Sequence, residues 1–242
     1  MKEREGYNLL KRWLDVIGGT ALLVVVAPAL VLAALLIKLD GGPVMFRQER
    51  MGRNGTTFTL LKLRTMVQGA HKMELHLKRE QAAEGGYGVE GEYCDPRVTR
   101  IGAILRLFNI DELPQLINVV KGDMSLVGPR PVPFVESLLY DDHRDEVLSV
   151  RPGITGYWQI MRRMSTGYDE RVEMDCYYVD NRSLKLDLHI FLKTPISMLT
   201  SDYNSCTKPL PPLAEGITVP ERALVTEGIE RHGEETVVSH EL

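Results

Sequence analysis

The run "VIGGTALLVVVAPALVLAALLI", residues 16–37, decides the architecture of this chain. It contains no charge. A helix crossing a bilayer needs roughly 20 such residues, so one transmembrane helix is the default expectation. A cleaved signal peptide fits less well, because the run is long and no small-x-small cleavage site follows it. Two features complicate the default. Pro28 sits mid-run, where it removes a backbone hydrogen bond and crowds the preceding turn. The flanks are basic on both sides: Lys2, Arg4, Lys11 and Arg12 before, Lys38, Arg47, Arg50 and Arg53 after. Basic flanks favour the cytoplasmic face, and a single pass can place only one of them there. A helix that enters, breaks at Pro28 and returns keeps both inside. Its cost is backbone groups at the break that need partners within the hydrocarbon. On these residues alone both arrangements stay open.

The remaining sequence is that of an ordinary folded protein, 26% charged and 44% apolar over 242 residues. The net charge of −4 gives no basic field for nucleic acid. Residues 205–242 carry seven Glu, no Asp and three basic residues, so the negative excess lies in this proline-containing tail. Cys94, Cys176 and Cys206 match no zinc spacing, and their odd number argues against a disulfide framework. His71 and His76, five apart, fall on different faces of a helix and make a poor metal pair.

After a Gly41–Gly42–Pro43 turn, "PVMF" and "TTFTLLKL" predict two short strands joined through Gly52, Asn54 and Gly55. This stretch is rich in cations (Arg47, Arg50, Arg53, Lys62, Arg64) and suits either anionic lipid or phosphate. A helix is expected from Val67 to about Ala83, then a Gly-rich loop. A short amphipathic helix follows within 95–109, and another over 111–120, stopped by Gly122. "SLVGPRPVP" (125–133) and "RPGITG" (151–156) read as rigid loops. Residues 134–148 and 168–182 read as helical, and 184–200 as a core or membrane-surface helix.

"FNIDELPQL", residues 108–116, raises the functional question. Asp111 and Glu112 followed by Pro114 are ordinary punctuation for a helix start. The alternative is chemical. Lys62, Arg64, Arg97, Arg100 and Arg106 lie upstream, Lys121, Arg130, Arg151 and Arg163 downstream. Carboxylates among guanidinium groups suit phosphoryl transfer: one can hold Mg²⁺, another can be a nucleophile, and the arginines can neutralise phosphoryl oxygens.

Several stretches, in order, resemble one family. "DPRVTRIGAILRLFNIDELPQLINVVKGDMSLVGPRP" (95–131), "KRWLDVIGG" (11–19), "FRQERMGRNGTTFTLLKLRTM" (46–66), "RPGITGYWQI" (151–160) and "YDERVEMDCYYVDNRSLKLDL" (168–188) are similar to the bacterial sugar transferases. These are monotopic polyprenyl-phosphate phosphoglycosyl transferases. The resemblance spans about residues 8–204.

What the resemblance implies is specific. The fold class would be α+β, predominantly helical. A re-entrant membrane helix broken at Pro28 (region 1–40) would anchor a small interfacial catalytic domain (41–204) facing the cytoplasm of a bacterial inner membrane, with residues 205–242 as a tail. The activity would move a sugar 1-phosphate from a UDP-sugar to polyprenyl (undecaprenyl) phosphate, release UMP and initiate exopolysaccharide or glycoconjugate synthesis. Asp111 would be the nucleophile and, with Glu112, would hold Mg²⁺. Lys62, Arg106, Arg130, Arg163 and Asp187 would bind substrate, and the basic stretch adds Arg64. Inner-membrane lipids would be partners, and a homodimer is compatible. Two departures stand out: "MRR" (Met161–Arg163) where many members read "NGR" or "SGR", and Ala27 where many keep a serine beside the membrane proline. A membrane-anchored scaffold with the acidic pair as a plain helix cap is the competing reading. A peripheral phosphatase is a third, lacking its usual motifs. The donor sugar is not legible.

Overall fold

The computed structural model describes residues 2–70, 97–161 and 168–200. Most of the helix expected from Val67, the Gly-rich segment, Arg162, Arg163 and the tail lie outside the described residues.

Helix α1, Lys2–Leu39, contains the apolar run and carries Pro28 within it. It is long and apolar enough to cross a membrane. Its burial is concentrated at two places. Asp15 and Gly19 are buried near one end, Ala33 and Ile37 near the other, and no residue from 20 to 32 is buried. The first limb packs closely: a Cβ on Gly19 would lie 3.2 Å from Val119, and one on Gly18 would lie 3.1 Å from Leu126. Asp15 accepts hydrogen bonds from Ser125 Oγ and Leu126 N, each 3.0 Å. The second limb forms a core with Leu63 and Leu105. Gly41 and Gly42 follow with φ of 73° and 74°, a left-handed turn that suits residues without a Cβ.

Strands β1 (Met45–Met51) and β2 (Thr57–Leu63) pair antiparallel, in register from Met45↔Leu63 to Met51↔Thr57. Their turn, Arg53–Gly55, places Asn54 at φ 56°. Leu60 and Leu63 point inward. Helix α2 (Arg100–Leu107) joins the Leu63 core through Leu105, and helix α3 (Gln115–Lys121) packs on β2. Gly122, at φ 103°, ends α3 as expected. Leu60, Val119 and Met124 form the core beneath.

Asn118 of α3 is 1% exposed and stitches the helix to the open edge of β2. Its Oδ1 accepts from Leu61 N (3.1 Å), and its Nδ2 donates to Thr59 O (2.8 Å) and Asp123 Oδ2 (3.2 Å). A buried amide so satisfied replaces the neighbouring strand that β2 lacks on this side.

The two expected rigid loops contain strands. β3 (Ser125–Val127) and β4 (Gly153–Thr155) pair in parallel, Ser125↔Gly153 and Val127↔Thr155. Gly128 and Gly153 allow the approach, since a Cβ on Gly153 would lie 2.1 Å from Gly128 N. The segment expected to be one helix over 134–148 is α4 (Phe134–Ser137), a 3₁₀ stretch Leu138–His143 broken at Asp141 (φ 45°), and α5 (Arg144–Val147). After α6 (Tyr157–Met161), helices α7 (Tyr168–Asn181) and α8 (Leu184–Thr200) match their expected ranges. α8 is both core and surface: Ile190 is fully buried, while Leu188, Leu192 and Ile196 are exposed. The described residues are thus mostly helical, with two small sheets.

Candidate active site

The site begins with α2. Thr99 caps it, accepting from Gly102 N at 2.9 Å. Gly102 lies directly on the strand-end backbone, where a Cβ would meet Thr65 O at 2.0 Å. This close seating brings Arg106, one turn on, to Thr65, whose Oγ1 accepts from Arg106 Nε at 2.9 Å. Asn109, at φ 52°, then turns the chain left-handed, and Ile110–Glu112 make a single 3₁₀ turn before Pro114 starts α3.

Neither carboxylate of the pair serves as a helix cap. The cap positions are Asn109 and Pro114, and neither end has a side-chain cap bond. Asp111 is instead 8% exposed, and among the described residues no other residue donates a hydrogen bond to its carboxylate. Burial, then the charge of Glu112, raises its pKa to about 6, against the pull of Lys62 and Arg106. Glu112 behaves oppositely. Burial alone would raise it, but the Lys62 ammonium, 2.6 Å from Oε1, with Arg130 and Arg50 beyond, holds it below the usual value. The adjacent acids are therefore driven apart, one towards protonation and one firmly ionised. Divergent titration of neighbouring acids is a common property of reaction centres.

Four cations surround the pair: Lys62, Arg106, Arg130 and Arg50. Arg130, in the loop after β3, has no hydrogen bond or ion pair among the described residues, so its guanidinium is available to a ligand. Arg50 donates to Pro131 O (3.3 Å) and Gln48 Oε1 (2.6 Å), while its buried Nε has no partner among the described residues. Burial lowers its pKa, and so does Arg130 beside it. A positive excess gathered beside two carboxylates suits a ligand that brings several anionic oxygens. The oxygen donors of Asp111 and Glu112 suit a hard divalent cation, and the lack of outside donors to the buried Asp111 carboxylate leaves a place for one.

The remaining expected residues lie elsewhere. Arg64 donates to the Ile37 carbonyl (3.3 Å) and to that of Gly41, closing the end of α1. Asp187 accepts from Tyr7 Oη (2.8 Å), Lys11 Nζ (2.9 Å) and Tyr178 Oη (2.8 Å), tying α8 to the start of α1. Pro28 is an exposed residue of α1. Arg163 is outside the described residues. Arg50 and Thr65 join the site without having been singled out. Arg50 was visible only as one cation in a basic hairpin. Thr65 shows no signal until Gly102 presses α2 onto it.

A long apolar helix, a buried acidic pair and the cations beside it suit an enzyme that handles phosphorylated groups. A profile described as bacterial sugar transferase matches residues 6–201, and the chain belongs to that family. It is 40% identical over 197 residues to an uncharacterized sugar transferase of Haemophilus influenzae, covering 81% of this chain and 42% of that protein. It is 42% identical over 190 residues to the exopolysaccharide production protein ExoY of Sinorhizobium fredii, covering 77% and 84%. It is 43% identical over 209 residues to a UDP-glucose:undecaprenyl-phosphate glucose-1-phosphate transferase of Caulobacter vibrioides, covering 82% and 73%. The chain therefore spans less than half the length of the Haemophilus protein.

Proposed function

We propose that this chain transfers a sugar 1-phosphate from a UDP-sugar to undecaprenyl phosphate at the cytoplasmic face of a bacterial inner membrane, the first step of an exopolysaccharide or glycoconjugate. Asp111 is the nucleophile. Its carboxylate oxygen forms a bond to the β-phosphorus of the donor as the bond to the bridging diphosphate oxygen breaks. UMP leaves with that electron pair. A phosphate oxygen of the lipid acceptor then attacks the same phosphorus, and the Asp111 carboxylate departs, leaving a diphosphate-linked lipid sugar. Lys62, Arg106, Arg130 and Arg50 orient and neutralise phosphoryl oxygens. Asp111 and Glu112 would hold Mg²⁺, which when bound supplies further neutralisation of the diphosphate. Glu112, ionised and anchored on Lys62, orients its neighbour. The name of the Caulobacter relative supports both substrates, with glucose as one candidate sugar.

The observation that carries this reading is the buried, uncapped carboxylate of Asp111 among four cations. The scaffold alternative needs the pair to be a helix cap, and the cap geometry gives that no support. Asp111→Asn should abolish UMP release from UDP-sugars by membranes supplied with Mg²⁺ and undecaprenyl phosphate. Substantial turnover in that variant would sink the covalent scheme.

The anchor reading is re-entrant, with the bend at Pro28. Both limbs of α1 touch the same catalytic body, at Gly19 and at Ile37, while no residue from 20 to 32 is fully buried. A single pass would carry one limb to the far side of the bilayer, away from those contacts. A reporter fused to the N-terminus should be read in the cytoplasm together with one at the C-terminus; opposite sides would rule the hairpin out.

A further inference from the structure

A polar cavity lies between the first turns of α1, the turn after β1, the approach to β4 and the corner joining α7 to α8. Its volume, about 40 Å³, holds roughly three waters or one tetrahedral oxyanion. Lys11, Arg12, Arg53, Arg151 and Arg182 line it, with Asp15 as the acid in the lining. These cations are not those of the Asp111 site.

Each cation is pinned by a contact on the protein side. Arg12 donates to the carbonyls of Val119 (2.6 Å) and Val120 (2.8 Å). Arg53 Nε donates to Ser149 O (3.1 Å) and Arg151 Nε to Gly122 O (2.8 Å). Arg182 donates through Nη1 to Val179 O, and Lys11 to Asp187. Asp15 is committed to Ser125 and Leu126. The terminal nitrogens of Arg53 and Arg151, with Nη2 of Arg182, have no partner among the described residues, and the buried Nε of Arg182 has none either. Burial, then Arg12 and Arg53 beside it, depresses the pKa of Arg151. So five cations, held rigidly, face two engaged acids, Asp15 in the lining and Asp187 on Lys11, and a positive excess of three remains. Gathering like charge in a partly buried space is unfavourable without a counter-ion, and oriented guanidinium forks match phosphate oxygens.

We propose that this cavity binds a phosphate group, distinct from those handled at Asp111, and that the group is the head of an anionic phospholipid. The lipid source rests on the reading of α1 as a membrane anchor. Lys11 and Arg12 stand about one turn before the apolar run, at headgroup depth in that reading. Trp13, 61% exposed between them and the run, is a typical interfacial residue. Basic clusters at this depth attract anionic lipid. The site would hold the foot of α1 and the α7–α8 corner on one lipid.

Two measurements on the full chain test this. In uncharged detergent, calorimetric titration with inorganic phosphate should show two binding events. The double variant Arg53→Gln/Arg182→Gln should lose one of them, with about tenfold weaker affinity, and Arg47→Gln, an exposed cation of β1, should lose neither. Loss of UMP release would leave this result unaffected, so the two readings fail separately. If the double variant melts below wild type, Arg53→Lys/Arg182→Lys keeps the charge but not the fork and should still weaken that event several-fold. Absence of the second event in wild type, or its persistence in both double variants, overturns the site. In nanodiscs, native mass spectrometry should find phosphatidylglycerol retained by wild type in preference to phosphatidylcholine, and the preference lost in the double variant. Equal retention of both lipids overturns the lipid source and leaves a site for soluble phosphate.

Discussion

Replacing Lys62 by Met should invert the way stability depends on pH. In the wild type, the Lys62–Glu112 contact is 2.6 Å, with side chains 21% and 23% exposed. Breaking a fully buried pair by removing one partner costs roughly 3–5 kcal/mol. Partial exposure screens this contact, and about 1–2 kcal/mol is the appropriate expectation here. The sign follows from Glu112. Its folded pKa is depressed, so it contributes stability above its unfolded pKa and loses it as pH falls through the lower folded value. Without Lys62, burial still pushes the carboxyl up, its two largest opposing contributions are gone, and only Arg130 and Arg50 oppose it. The raised group then disfavours the folded state at high pH and ceases to do so once protonated. Lys62→Met should therefore melt roughly 2–8 °C below wild type at pH 8, and the gap should shrink by more than half at pH 4.5. Thermal melting in detergent at the two pH values reads this directly. An equal deficit at both would mean that the ammonium contributes packing alone, and the electrostatic account of the site would be wrong.

Asp111 makes the opposite linkage. Its folded pKa, raised to about 6, means that the ionised form costs folding stability above that pH and costs nothing below the unfolded value near 4. Asp111→Asn should accordingly melt above wild type at pH 8, with no advantage at pH 3.5; a variant that is both inactive and destabilised at pH 8 would contradict this. The acid limb of kcat/KM for UMP release, measured in wild type, should fall about tenfold per pH unit below roughly pH 6, and a limb near pH 4 would count against it. Asn118→Ala removes three hydrogen bonds and leaves Leu61 N without its partner, so urea unfolding should show a loss of about 2–3 kcal/mol. Gly102→Ala places a methyl group 2.0 Å from Thr65 O, which backbone cannot yield cheaply. It should lower kcat more than it raises KM, by shifting Arg106, and unchanged kinetics would refute the role given to that contact.

What could be read in advance followed local rules. The α1 run, the β1–β2 hairpin with its Asn54–Gly55 turn, the Gly122 stop and the two final helices all announce themselves by periodicity or turn chemistry within a dozen residues. The β3–β4 pair does not. Its partners are 28 residues apart, each strand has three residues, and Pro and Gly flank both, so every local signal says loop. The candidate site divides along the same line. Asp111 and Glu112 were visible as an unusual pair, but their electrostatic separation depends on Lys62, fifty residues earlier. Asp187 matched as a motif position and Arg64 stood out as a cation of the basic stretch, yet their side chains bind the two ends of α1. A motif fixes which residues recur together, whereas the contacts each one makes are set by packing.

Helix α3 joins the anchor to the chemistry. Arg12 grips the carbonyls of Val119 and Val120 at its far end, and Asp111 sits just before its near end. Seven helical residues make a strut about 10 Å long. With α1 as the proposed membrane anchor, the height of Asp111 above the lipid would be a fixed offset from the depth at which Arg12 rides, so a thinner or thicker bilayer would carry the carboxylate with it. An acceptor whose own phosphate floats at a set level would meet that oxygen in some membranes better than in others, with no residue of the reaction centre altered.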